Sequence, residues 1–347
     1  QRTHPHPTLR PSSQSRSTVI PSSLRWVLLR GWPLLLPLCL ASSALWAESA
    51  DEWLLRMGQA FREQNYDGTF IYVRGDELQS FRIIHRADAG IEQERLIHLD
   101  GAAHELLRTG EGLFAIQADA PISETAAKAS FAQSFAREPG QLAQHYRLEL
   151  LGDERVSNRQ CRRIAIRPHD PDRYSHELWI DQASGLLLRS LLRDTDGRTL
   201  ERFQFVTLRV ADDVSVGDLT SMTHGSATLH RVQPRTVPNP WKISREWRVG
   251  WTPKGFVSQQ HPTDNQVETQ PSLLHSELFS DGLYAFSVFV ETLDQNETAQ
   301  DGRRQRGATS AVTSRIPYRG ESVMVTVVGE IPLETASRIA RSVAPSP

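Results

Sequence analysis

The run from Arg173 to Leu208, RYSHELWIDQASGLLLRSLLRDTDGRTLERFQFVTL, restricts the fold more than any other part of the chain. Ala183-Ser184-Gly185 and Asp194-Thr195-Asp196-Gly197 carry turn chemistry, and they separate three apolar runs: Leu178 to Ile180, then Leu186, Leu187, Leu188, Leu191 and Leu192, then Phe203, Phe205, Val206 and Leu208. Successive side chains of a strand point to opposite faces, so consecutive apolar residues put greasy surface on both sides of an antiparallel sheet. The second side needs a cover. A helix, another domain or an apolar ligand would each serve, and the choice among them is the functional question.

The N-terminal residues belong to a different problem. Arg25 and Arg30 precede an apolar run from Gly31 to Leu45 that ends in small residues, the pattern of a cleavable export signal. Its length, about 15 residues, falls short of the roughly 20 needed to span a bilayer. Cleavage is expected near Ala47, with Ala44 as the alternative, and Cys39 lacks the small residue that a lipoprotein signal places before its cysteine. The expected product is a soluble exported protein. Removing residues 1–47 leaves 300 residues and takes away five arginines and no acid, so the net charge falls from −2 to −7. That balance argues against a nucleic-acid partner. Cys161 alone would survive cleavage, so no disulfide can form within the chain; it reads as a small buried hydrophobe, with pairing between chains as the alternative.

Trp53, Leu54, Met57 and Phe61 recur at helical spacing between Ala50 and Gln64, with Asp51 and Glu52 in the first turn. Strand-like runs follow at 69–74, 79–86, 93–99 and 112–117, punctuated by Asp-Gly and Ala-Gly pairs, as in an antiparallel meander. A second helix is expected over Glu124 to Arg137, then strands at 146–151, 161–167 and through the opening run. After Val210 long apolar runs become rare and Pro234, Pro238 and Pro240 appear, which reads as a linker over 225–238. The domains expected are therefore 48–224 and 239–347. Strands are read in the second at 241–249, 273–281, 283–291, 310–318 and 323–331, with a polar loop at 294–309 and a closing helix that Pro332 starts.

His169, Asp170, Asp172, His176, Glu177 and Asp181 form the most enzyme-like cluster, but a strand from Tyr174 to Asp181 sends His176 and Glu177 to opposite faces. The segment reads as a proline-rich surface hairpin. His104-Glu105-Leu-Leu-Arg108 lacks the second histidine of a zinc protease helix and lies in a β region. The chain has no nucleophile elbow, phosphate-binding glycine loop, C-x-x-C or dinucleotide fingerprint, so no catalytic, metal or cofactor-binding residue is assigned. Arg303, Arg304 and Arg306 read as a basic tip of the polar loop, suited to carboxylate or phosphate. Trp251-Thr-Pro-Lys-Gly-Phe256 reads as a turn able to expose one ring.

Arg173-Tyr174, Leu178-Trp179-Ile180-Asp181, Gly185-Leu186-Leu187 and Phe203-Gln204-Phe205 resemble the first domain of the RseB/MucB family. Ser280-Asp281-Gly282-Leu283, Phe286 to Glu291, Gly307-Ala308-Thr309 and Val325 to Pro332 resemble its second. These blocks stand in the family's order and extend the likeness over the whole chain after the leader. The resemblance implies an α+β protein of two domains: a LolA-like, half-open antiparallel barrel with plugging helices, and a smaller antiparallel sheet with a helix. It further implies a non-enzymatic periplasmic regulator of the sigma-E/AlgU envelope-stress response. Such a regulator binds the periplasmic domain of an RseA/MucA-like anti-sigma factor, shields it from site-1 proteolysis and associates with the inner membrane only through that partner. Lipid or lipopolysaccharide chains would act as the stress signal in an apolar cavity; the other reading is a periplasmic lipid or lipoprotein carrier. Self-association is left open. The cavity candidates are Phe70, Tyr72, Phe81, Leu113, Trp179, Leu187, Phe203 and Phe205. Those for the anti-sigma surface are Trp251, Phe256, Arg303, Arg304 and Arg306.

Overall fold

A computed structural model of the chain describes residues 48–101, 104–110, 112–116, 142–211, 213–219, 229–231, 244, 246–259, 272–293 and 300–346. Helix α1 (Ala50–Glu63) begins at a capping box: the Ser49 hydroxyl accepts from the Glu52 amide while the Glu52 carboxylate accepts from the Ser49 amide. Its apolar stripe of Trp53, Leu54 and Met57 is buried. Ten strands then form two meanders, β1 (Tyr66–Arg74), β2 (Glu77–Asp88), β3 (Ile91–His98), β4 (His104–Thr109) and β5 (Gly112–Ile116), and β6 (Tyr146–Val156), β7 (Arg159–Pro168), β8 (Ser175–Asp181), β9 (Leu187–Arg193) and β10 (Thr199–Val210). Pairing of β1 with β10 joins them into one open antiparallel sheet. The short strand β11 (Leu229–Arg231) extends it beyond β5, so residues 229–231, read from sequence as linker, belong to the first sheet. The other residues of that linker and the helix expected over 124–137 lie outside the described residues.

In the second domain, β13 (Val257–Ser258), β14 (Leu273–Ser280), β15 (Ala285–Thr292), β16 (Gly302–Arg306), β17 (Thr309–Tyr318) and β18 (Glu321–Gly329) form a sheet in the order 13-14-15-18-17-16. Helix α2 (Leu333–Ser342) starts after Pro332, which caps it rather than opening its first turn, and buries Ala336, Ile339 and Ala340 in the same core as Val312 and Val327. A small ribbon pairs β12 (Trp247–Val249) with β19 (Val343–Pro345). Of the strand read over 241–249, Trp247–Val249 is formed, while residues 241–243 and 245 lie outside the described residues.

The two-faced strands divide between two cores. Leu178, Ile180, Leu187 and Leu192 belong to a buried cluster that runs through α1 into the second domain, reaching Phe286, Val327 and Ile339. Trp179, Leu186, Leu188 and Leu191 belong to another, with Tyr66, Phe70, Phe81 and Phe205. On the first of these faces Trp53 of α1 lies over Arg162, which is paired with Ile180, while His176 stacks on Tyr284 of the second domain. A helix covers one end of that face and another domain the other end. Across the sheet, the Trp179 ring lies between the guanidinium groups of Arg163 and Arg189, at 5.1 and 5.0 Å, and its indole N–H donates to Glu154.

Candidate functional site at the domain interface

The interface is assembled from the ends of β6 to β8 and the turns of the second domain. Arg173, in the turn before β8, has a fully buried side chain. Its Nε donates to Asp281 Oδ2 at 2.8 Å, and its other nitrogens donate to the Asp170 carboxylate and to the Lys254 carbonyl. Asp281 is as completely buried as its partner. The Tyr146 hydroxyl reaches its Oδ2 at 2.6 Å, and the amides of Leu283 and Tyr284 donate to Oδ1 at 3.0 and 2.8 Å. A buried ion pair persists only where its polar atoms find partners, and here each guanidinium nitrogen donates and each Asp281 oxygen accepts two hydrogen bonds. The Arg173 guanidinium also lies 5.1 Å from the Phe256 ring, and burial together with Asp281 raises the pKa of the Tyr146 phenol.

Further contacts surround this pair. The Tyr174 hydroxyl donates to the Ile331 carbonyl at 2.8 Å, and Thr335 at the start of α2 donates to Asp172 at 3.0 Å. The imidazole of His176 lies parallel to Tyr284, centroids 5.6 Å apart, and burial lowers its pKa to about 3. Gly255 has φ +92°, and a β-carbon there would meet the His145 ring at 2.1 Å, so this close approach requires glycine. Beside the interface, the β9–β10 turn, β16 and α2 enclose a cleft of about 640 Å³ lined by Asp172, Asp194, Arg198, Glu334 and Arg338 among others.

The structure separates the cavity candidates. Phe70, Phe81 and Phe205 are buried together, with Phe70 5.2 Å from Phe81 and 5.0 Å from Phe203. Trp179 and Leu187 lie on opposite faces, because Trp179 pairs with Arg189 and Ile180 with Leu187. Tyr72 donates a hydrogen bond to Glu201, a contact that its apolar neighbours in sequence did not announce. Leu113 sits on β5 opposite Arg108.

The basic tip needs correcting. Arg303, Arg304 and Arg306 lie on β16, the edge strand of the second sheet, not in a loop. Arg303 is paired with Glu334 of α2, and Arg306 reaches Glu77 of the first domain at 2.6 Å. Phe256 needs correcting too, since it is 5% exposed within the interface core; Trp251 is half-buried, with the Arg338 guanidinium 3.7 Å from its ring centroid. Cys161 is wholly buried, and burial pushes its thiol up to about 12, which leaves it protonated and shielded from pairing between chains. His176 faces the interface while Glu177 turns to Arg163 and Arg193 on the opposite face, as the strand reading expected. Among the described residues, no group of three or more His, Cys, Asp or Glu side chains could hold a metal ion.

Fold and interface define a class: a two-domain protein in which an open antiparallel sheet carries a smaller sheet-and-helix domain through a desolvated polar contact. The chain belongs to the MucB/RseB family; residues 49–223 match the model of the MucB/RseB N-terminal domain and residues 242–344 that of its C-terminal domain. It is 34% identical over 313 residues to the sigma factor AlgU regulatory protein MucB of Pseudomonas aeruginosa, covering 90% of this chain and 96% of that protein. It is 30% identical over 300 residues to the sigma-E factor regulatory protein RseB of Salmonella typhimurium, covering 84% and 89%. The solved complex of Pseudomonas aeruginosa MucA and MucB contains a chain similar to this one, with a TM-score of 0.68 and 33% identity over 86% of this chain and 99% of that one. A crystal structure of MucB in complex with MucA(peri) is similar to the same degree.

Proposed function

We propose that this protein is a periplasmic regulator of a sigma-E/AlgU-type sigma factor. It binds the periplasmic domain of a MucA-like anti-sigma factor and shields that segment from the protease that cuts first, so that the sigma factor stays inactive. The observation that carries this reading is the likeness of the chain, through both domains in order, to MucB as solved with MucA. The segment from Arg25 to Ala47 acts as the export signal, and the protein meets the membrane only through its partner.

Within this reading the second domain's edge strand is the docking surface. An edge strand offers one row of unpaired backbone groups to an incoming extended segment. On β16 the exposed Arg304 stands between Arg303 and Arg306, where acidic side chains of such a segment would meet guanidinium forks. The regulatory ligand is an acyl chain received against Phe70, Phe81 and Phe203. Each buried methylene contributes about 0.8 kcal/mol, so a chain of about ten carbons has driving force to spare over ordering costs. Only a difference in affinity between peptide-binding and peptide-releasing conformations would turn that binding into a switch.

Titration calorimetry of the purified protein with the periplasmic segment of its anti-sigma factor tests the reading. A one-to-one complex weakened by Arg304→Glu is expected. Full affinity in that variant would remove β16 as the docking edge, and absence of binding by the unaltered protein would remove the regulator reading altogether.

A further inference from the structure

Glu201 lies where the aromatic wall of the first sheet meets the second domain. The register of β1 against β10 sets out three successive pairs, Phe70 with Phe205, Tyr72 with Phe203, and Arg74 with Glu201. They share one face, each pair two residues further along, or about 7 Å. The first pair is buried in the aromatic core, and the last touches the turn between β16 and β17. Gly307 in that turn has φ +58°, and a β-carbon there would come within 2.4 Å of Arg74 Cγ and 2.6 Å of Glu201 Oε1. The next residue, Ala308, is fully buried and donates its backbone N–H to Glu201 Oε1 at 2.9 Å. The other carboxylate oxygen, Oε2, accepts the hydroxyl of Tyr72. One carboxylate, 8% exposed, thus holds a wall residue of one domain and a turn of the other.

We infer that Glu201 is a positioning residue that couples occupancy of the aromatic wall to the placement of the arginine-bearing strand β16. This rests on the proposed function. Tyr72 is half-buried while Phe70, Phe81 and Phe205 are nearly closed to solvent, so an apolar chain sliding along this wall meets the Tyr72 ring first. Displacing the ring carries its hydroxyl away from Glu201. A carboxylate in a buried site does not tolerate the loss of a donor, and it shifts toward water or another donor. The Ala308 amide then loses its acceptor at the old position, and the turn that follows Arg306 moves with it. The coupling passes through two hydrogen bonds, with no need for a large change in the angle between domains.

Hydrogen exchange of the purified protein, read by mass spectrometry on peptides spanning 302–309, tests the inference without relying on the partner. Tyr72→Phe removes one hydroxyl and leaves the ring, and is expected to speed exchange across the β16–β17 turn by about fivefold in the free protein. Laurate is expected to do the same in the unaltered protein and to add nothing in Tyr72→Phe. Glu201→Gln keeps an acceptor for Ala308 and should leave the free protein near its original exchange rate while abolishing the laurate effect. Unchanged exchange at 302–309 in Tyr72→Phe overturns the coupling, as does laurate that binds by calorimetry yet leaves these amides unaltered. If laurate does not bind at all, the ligand half of the proposed function fails on its own, and the comparison of Tyr72→Phe with unaltered protein decides the coupling.

Discussion

At the centre of the interface Arg173 and Asp281 pair with both side chains fully desolvated, whereas at its rim Arg306 and Glu77 pair with side chains 67% and 39% exposed. The chemistry is the same and the consequence differs. A desolvated pair with every carboxylate lone pair engaged fixes one docking geometry, because Asp281 alone would be a buried uncompensated charge and Arg173 alone would keep only the partly exposed Asp170. A solvated pair contributes little and can be exchanged for another partner at little cost. The interface is therefore locked at its centre and adjustable at its rim, where Arg306 stands beside the edge of β16.

The strongest way to break this contrast is Asp281→Ala, which leaves Arg173 short of its main counter-ion and strips Tyr146 and two backbone amides of their acceptor. A loss of about 3–5 kcal/mol is expected by urea denaturation. Next comes acidification. His176 is buried neutral, with its pKa lowered to about 3, whereas in the unfolded chain an imidazole titrates near 6.5. The unfolded state therefore takes up the proton first as pH falls. The contribution of His176 is fully present above about pH 6.5 and declines by up to about 1.4 kcal/mol per pH unit below it. Unfolding midpoints at pH 7.5 and 5.5 should differ less in His176→Leu than in the unaltered protein. A smaller effect of opposite sign is expected from Tyr284→Phe, since the buried Tyr284 hydroxyl has no hydrogen-bond partner among the described residues. Its removal should raise stability by about 1 kcal/mol or less, readable as a higher urea midpoint. Arg306→Ala should be the smallest, under about 1 kcal/mol by the same titration. An Arg306 effect as large as that of Asp281 would erase the distinction between centre and rim.

Much of the first domain was legible because its turns carry their own chemistry. Asp194 to Gly197 closes the β9–β10 connection, with Asp194 accepting from the Asp196 and Arg198 amides. The alternation in β15 and β18 likewise announced a core. The edge strand β16 escaped because Gly-Arg-Arg-Gln-Arg has no apolar period to read, and four of its five residues are exposed. The cover of the two-faced strands escaped for another reason. Arg173 and Asp281 stand 108 residues apart, and no local pattern links a proline-rich turn in one domain with a Ser-Asp-Gly turn in the other. In sequence, Ser280 to Leu283 is legible only as part of a family likeness; its physical role is to hold Asp281 where Arg173 and Tyr146 converge. Phe256 was misplaced because Lys254-Gly255 does form a turn, but one folded inward against His145 and Arg173. Removing the second domain would strip the cover from His176, Tyr146 and Tyr174, so the two domains are better tested together than apart.

The most direct test of the central claim is cleavage of the purified periplasmic segment of the anti-sigma factor by its site-1 protease, followed with and without the purified protein. Protection is expected at stoichiometric protein, weakened by Arg304→Glu and relieved by an acyl-chain ligand. Cleavage at an unchanged rate with the protein in excess would contradict it.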